Sequence, residues 1–379
     1  MDELYEPRED SELLAKEVKK YAFGKVLDMG TGSGIQAEAA KASINTKSVL
    51  AADINPKAVE FVKKKGIKAV KSNLFSNIKD KFDTIIFNLP YLPDEHKAPD
   101  IALDGGEKGY ELTVKFLSQV GDHLNEAGII LMLFSTLTDV KVVDEAINQY
   151  CFKSKNIASQ KVSFEEMIVY KLEWIDELKP LLKNITSIQR LAKGHRGLIF
   201  TGMWNKKKVT VKVQRQDIAA RGTVNNEILQ LKKLSKHGIG PEIVMFGNDY
   251  FVYNYIEGEF VIPYLEKASK ANVVKVLKDV FDQMRTMDKM GLNKEEMHHP
   301  HKHILIGDKV VLVDFERCKP SEKLHNVTQF CQFMMSGHIK PVFDRIKIKI
   351  DRDKMMGAAK TYSDSMTDKD YKAILSLLK

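Results

Sequence analysis

The apolar run Thr84, Ile85, Ile86, Phe87 ends in Asn88, Leu89, Pro90 and Tyr91. Asparagine and proline are poor strand residues, so the run stops there and enters a stiffened loop. A rigid loop alone accounts for the prolines, but a chemical role accounts for the other residue types too. A carboxamide or exocyclic amino nitrogen is a weak nucleophile, because its lone pair is delocalised. Two fixed acceptors on its N–H bonds can hold that nitrogen in line with a donor group. The Asn88 side-chain oxygen and the Leu89 or Pro90 carbonyl supply the acceptors. Proline keeps the carbonyl aimed, and Tyr91 offers a face to a planar substrate.

A second set of residues precedes it. "VLDMGTGSG" places Asp28, Gly30, Gly32 and Gly34 after an apolar strand and before a helix, where glycines let backbone pass close to a ligand. Asp53 ends the next strand in "VLAADINP", where a carboxylate can take both hydroxyls of a ribose. The spacing is not G-x-G-x-x-G, and the run opens with aspartate. That favours a nucleoside carrying a sulfonium over a pyrophosphate. Asn73 follows the third strand in "KSNLF", where a turn asparagine and a cofactor contact are both open readings.

The second half carries a different set. Gly194 and Gly197 lie between two strand-like segments, Lys212 is on the next strand, Glu227 is in a helical stretch, and Asp314 follows "VVLV". Glycine turn, strand lysine, helix glutamate and late aspartate, in that order, are the phosphate- and metal-holding parts of a kinase-type site. The loop before Asp314 is "EEMHHPHKHILI", with His298, His299, His301 and His303. Imidazole suits transition metals better than magnesium. A zinc site from these histidines is disfavoured, because alternating residues of an extended loop point in different directions. Glu295 or Glu296 could stand in for an absent catalytic base.

The elements that must position these groups alternate from Lys25 to about Leu172. Strand-like "KVLDMG", "SVLAADI", "KAVKSN", "FDTIIFN" and "GIILMLFS" are interleaved with helical patterns such as "NPKAVEFVKKKG" and "GYELTVKFLSQVGDHLNEAG". This predicts a parallel, doubly wound α/β sheet with helices on both faces. Two further strand-like runs up to Trp174 predict an antiparallel hairpin that closes it. After Asn184 strands come first and helices later, an α+β pattern. The expected domains are therefore residues 1–172, a connector over 173–183, and residues 184–379.

With 379 residues, 44% hydrophobic and 29% charged, the chain suffices for two cores. Its start is acidic where a secretory signal would be basic and apolar, and no long apolar run occurs, so a cytoplasmic, non-membrane protein is expected. Cys151, Cys318 and Cys331 lack C-x-x-C spacing, which suits a reducing compartment. The net charge of +8 is concentrated in the second half, with about 36 basic against 25 acidic side chains after Leu172. An RNA or ribosome surface and a solvated lysine-rich face both fit.

The first half resembles the class I S-adenosylmethionine-dependent methyltransferases. "YEPREDSELL" (Tyr5–Leu14) and "ALDGGEKGYE" (Ala102–Glu111) are similar to two stretches of the HemK-type protein-glutamine N5-methyltransferases, in the short archaeal and eukaryotic form. The resemblance implies S-adenosyl-L-methionine as cofactor and places Asn88, Pro90 and Tyr91 on the family's N-P-P-Y motif. It also implies the glutamine of a G-G-Q loop in a peptide-chain release factor as substrate, and a small zinc-binding activator subunit as partner. Leu89 departs from the motif. N-L-P-Y also occurs in rRNA adenine dimethyltransferases, so RNA adenine N6-methylation, anchored by the basic second half, remains an alternative. Residues of about 185–335 resemble the archaeal RIO-like atypical kinases, which implies ATP with Mg2+ or Mn2+. His303 stands in that family's asparagine place and His298 in the place of its catalytic aspartate. A kinase, an ATP-binding pseudokinase and a non-catalytic nucleotide-dependent scaffold all remain open.

Overall fold

The computed structural model describes residues 6–90, 108–162, 164–193, 197–215 and 223–378. Tyr5, Tyr91, Gly194 and most of the Ala102–Glu111 stretch lie outside the described residues. The chain divides into two compact units, residues 1–192 with 200–206, and residues 193–199 with 207–379.

The first unit contains α1 (Glu9–Tyr21), β1 (Gly24–Met29), α2 (Ile35–Lys41), β2 (Thr46–Asp53), α3 (Pro56–Lys64), β3 (Lys68–Lys71) and β4 (Phe82–Asn88). It continues with α4 (Glu111–Val120), β5 (Leu124–Ser135), α5 (Val140–Gln149), β6 (Phe152–Val162) and β7 (Glu165–Trp174). The seven-stranded sheet runs β3-β2-β1-β4-β5-β7-β6. Its first five strands are parallel, and β7 and β6 join antiparallel as the closing hairpin. β1 and β4 are almost wholly buried, as strands covered on both faces must be. α1 packs Leu14 and Val18 onto Val26, Ile86, Leu131 and Val169. Its acidic first turn and basic last turn suit the helix dipole. The chain builds outward from β1 to β3 and then returns to β4 on the other side of β1. The ends of β1 and β4 thus flank the switch point where such sheets bind ligands.

One helix is shorter than its pattern predicts. "GYELTVKFLSQVGDHLNEAG" is α-helical to Val120, tightens into a 3-10 turn at Gly121–His123, and Leu124–Gly128 already belong to β5. Gly121 lies where a Cβ would come within 2.7 Å of the Trp174 indole, and Asn125 donates to Asp83 at 2.7 Å. Pairing of Leu124 with Phe82 overrides the local helical preference.

The later elements are β8 (Thr186–Lys193), β9 (Gly197–Trp204), β10 (Lys207–Gln214), α6 (Thr223–Leu234), β11 (Ile243–Phe246), β12 (Tyr250–Asn254), β13 (Glu259–Phe260), α7 (Val261–Lys267) and α8 (Lys270–Lys289). They end with β14 (Leu292–Asn293), β15 (Ile304–Ile306), β16 (Val310–Leu312), β17 (Lys319–Pro320), α9 (Asn326–Met334), α10 (Lys340–Ile346), α11 (Arg352–Ser365) and α12 (Asp368–Ser376). Within the second unit β12 pairs antiparallel with β10 on one side and with β11 on the other. Strands come first and helices dominate after Val261, the α+β order. The helices share an apolar core around Phe281, Phe315, Phe330 and Tyr362. Among the described residues no helix is long and apolar enough to cross a membrane.

Candidate active site

The loop after β1 holds a tight curve because three of its glycines adopt the left-handed backbone, with φ of 66° at Gly30, 49° at Gly32 and 84° at Gly34. A Cβ at Gly30 would come within 2.9 Å of the Phe87 ring, so only glycine fits there. Asp28 braces the loop from beneath. Its Oδ2 accepts from the Thr31 hydroxyl at 2.6 Å and the Ala37 N–H at 3.1 Å, while Oδ1 is buried without a partner. Burial pushes this carboxyl up to about 7, against the pull of the Thr31 and Ala37 bonds.

Asp53, at the end of β2, accepts from the Gly32 N–H at 2.8 Å through one oxygen and from the Asn55 N–H at 2.8 Å through the other. A carboxylate has about four lone-pair sites, so both oxygens keep room for a hydroxyl. The Ser72 N–H donates to the Asp53 carbonyl at 2.8 Å, which sets the turn bearing the exposed Asn73 beside Asp53. Left-handed glycines, a carboxylate with spare acceptors and a buried unpartnered oxygen on Asp28 fit a polar nucleoside-type cofactor at this edge.

Asn88 closes β4. Its Nδ2 donates to Asp10 Oδ2 at 2.7 Å, and its Oδ1 is buried with no partner. The carboxylate can only accept, so the bond fixes which end of the amide faces α1. The Leu89 N–H donates to the Leu133 carbonyl at 3.2 Å and ties the start of the loop to β5. Asp10, 4% exposed, is a site residue that motif reading passed over. Its only signal is its place in the "EPREDS" stretch.

In the second unit Lys212 lies in a charged cluster. Its ammonium is 2.6 Å from Glu227 Oε2 and 2.8 Å from Asp314 Oδ1, and Glu227 Oε1 accepts from the Phe315 N–H at 3.0 Å. Burial alone would lower the Lys212 pKa, but the two carboxylates outweigh it and hold the group above its ordinary value. Burial opposes ionisation of Asp314 likewise, and Lys212 overcomes it, so that carboxyl titrates below its ordinary range. Buried Lys294 donates to the carbonyls of Val313 and Asp314. A Cβ on Gly197 would sit 3.2 Å from Lys212 Cε.

One donor atom each of Glu296, His303 and Asp314 lies within 4.8 Å of the others. Asp314 and Glu296 both take left-handed backbone, φ 64° and 79°, a strain of about 1–3 kcal/mol each that neighbouring bonds must hold. Glu296, not Glu295, reaches this cluster; Glu295 pairs with Lys319 at 3.1 Å. His298 is exposed and faces Gln329 at 3.4 Å, apart from the charged cluster. The histidines do not diverge as an extended loop would make them. Pro300–Lys302 form a 3-10 turn, and His299 and His301 converge with His338.

For the first unit, fold and site together define a class I S-adenosylmethionine-dependent methyltransferase. Residues 8–164 match the family described as methyltransferase small domain. A provisionally named protein N5-glutamine methyltransferase of Methanocaldococcus jannaschii is 36% identical over 178 residues, covering 44% of this chain and 90% of that protein. The chain belongs to this family of protein N5-glutamine methyltransferases. The release factor glutamine methyltransferase of Borreliella burgdorferi is 35% identical, over 33% of this chain and about half (51%) of its own length. Among solved structures, the E. cuniculi Mtq2–Trm112 complex, responsible for methylation of the eRF1 translation termination factor, is 27% identical with a TM-score of 0.39, covering 46% of this chain and 100% of that one.

Proposed function

We propose that this chain methylates the side-chain amide nitrogen of a protein glutamine, and that its substrate is the glutamine of a release-factor G-G-Q loop in the cytoplasm. The observation that carries this is the Asn88 amide, held at Nδ2 by Asp10 and left with a buried, unpartnered Oδ1. That oxygen accepts one N–H of a substrate amide. The peptide after Asn88, tied to Leu133, is the source of the second acceptor, so the substrate nitrogen is oriented before any bond changes. Asp53, Asp28, the Gly30–Gly34 loop and the Asn73 turn would hold the cofactor, which when bound supplies an electrophilic methyl group on a sulfonium. Glutamine is preferred to adenine on family membership, since N-L-P-Y serves both.

The test is incubation with labelled S-adenosylmethionine and either a release factor or rRNA, with and without the small zinc-binding activator subunit that the family resemblance implies. Label on the release-factor glutamine is expected. Label in RNA with none in protein would replace this reading with adenine methylation.

For the second unit we propose ATP binding in the manner of a RIO-like domain, supported by Lys212 paired to Glu227 within reach of Asp314. Glu296, His303 and Asp314 would hold a divalent ion, and manganese suits an imidazole-containing set better than magnesium. His298 stands in the place of the resembled family's catalytic aspartate, so phosphotransfer should be slow or absent. Calorimetry of the full chain with ATP and each metal tests this; no nucleotide binding with either overturns it.

A further inference from the structure

We propose that His299, His301 and His338 form a second metal site, a three-imidazole site for a divalent first-row transition ion, zinc in the first instance, with its fourth position open to solvent. The site is assembled by folding. The His303 N–H donates to the Pro300 carbonyl at 2.9 Å and the His299 N–H to the Glu296 carbonyl at 3.0 Å, so the loop curls and brings both rings to one side. His338 arrives from the segment between α9 and α10. Its ring lies 4.7 Å from that of His301 and 5.9 Å from that of His299, centroid to centroid.

One nitrogen from each ring lies within 4.8 Å of the others. Tetrahedral zinc with nitrogen ligands needs them about 3.3 Å apart, so the rings must close by at most about 1.5 Å. Side-chain torsions can supply this, since His299 and His338 are exposed and His301 only half-buried. The base of the site is firm. Phe333, on buried α9, meets the His301 ring at 6.1 Å, and Gln329 on the same helix accepts from the Met297 N–H at 3.1 Å. Among the described residues no hydrogen bond engages any of the three rings. An all-imidazole set favours zinc, nickel or copper over magnesium. It is chemically distinct from the carboxylate-bearing Glu296–His303–Asp314 set and does not rest on the ATP reading.

The experiment uses the full-length chain without a histidine tag, stripped with chelator and then titrated with Co2+ by visible absorption and with Zn2+ by equilibrium dialysis. One tetrahedral Co2+ per chain is expected from the three-imidazole site, over and above any ion that the Glu296–His303–Asp314 set holds. His301→Ala and His338→Ala should each weaken it at least about tenfold. His237→Ala, at an exposed histidine elsewhere, and Asp314→Ala should retain it. Unchanged metal-free thermal midpoints establish that the variants fold, and His338→Cys should restore Zn2+ and add thiolate charge-transfer bands to the Co2+ spectrum. Failure to bind either ion, binding undiminished in both histidine variants, or equal loss in His237→Ala would each overturn the site.

Discussion

The two sites differ in how they treat their polar groups. At the switch point of the first unit, Asp28 and Asn88 each meet partners through one atom and leave a buried oxygen unmet on the other. In the second unit the Lys212 ammonium is already shared between the Glu227 and Asp314 carboxylates. In the first arrangement the buried, unpartnered oxygens carry a desolvation cost that an incoming N–H would relieve. The second spends its attraction internally, so an incoming phosphate must compete with two carboxylates for one ammonium.

The largest test of that contrast is Lys212→Ala. It leaves Glu227 and Asp314 facing each other uncompensated and should destabilise the second unit by about 3–5 kcal/mol. Loss of hydrogen-exchange protection across α6, with weaker ATP binding, is the expected readout. Retained protection would show that the carboxylates find other partners.

Asn88→Ala strikes the open acceptor of the first site. Methyl transfer should fall by on the order of 10²-fold or more while S-adenosylmethionine affinity stays nearly constant. Parallel turnover and calorimetry decide this; a matching collapse of cofactor binding would move Asn88 to the cofactor side.

Asp10 acts through Asn88, so its loss should be milder. Asp10→Ala should lower kcat about tenfold, with the KM for cofactor unchanged, as expected for one hydrogen bond to a charged group. Asp10→Asn still offers an oxygen to Asn88 Nδ2 and should recover most of the rate. Equal damage from both variants would indicate a structural rather than a positioning role.

A separate test, read in stability rather than turnover, is in pH. In the folded chain Asp28 titrates at about 7, above its ordinary value of 3.8. Between those values the unfolded chain gives up the proton that the folded chain keeps. Stability should therefore fall as pH rises through this window and level off above it. The thermal midpoint of Asp28→Asn should show a flatter slope there, and identical slopes would mean that Asp28 is not the group responsible.

Much of the first site was legible because its signals are local. Glycines at 30, 32 and 34 announce left-handed backbone, Asp53 ends an apolar strand, and Asn88 breaks another. Alternation of strands and helices implied the parallel sheet, and with it the edge on which these residues meet. Where local pattern competed with pairing it misled, as at Leu124–Gly128, whose residues suit a helix but are held in β5 by β4.

What the sequence determined by itself, then, is which residue types stand at turns and strand ends and roughly where along each element they fall, since turns, caps and strand ends depend on neighbours a few positions away. Tertiary structure alone decided which of them meet. The Asp10–Asn88 bond spans 78 positions, Glu296 rather than Glu295 reaches Asp314, and His338 joins His299 and His301 across α9. Such contacts arise from the packing of distant elements, where one turn of backbone changes which neighbour a side chain faces.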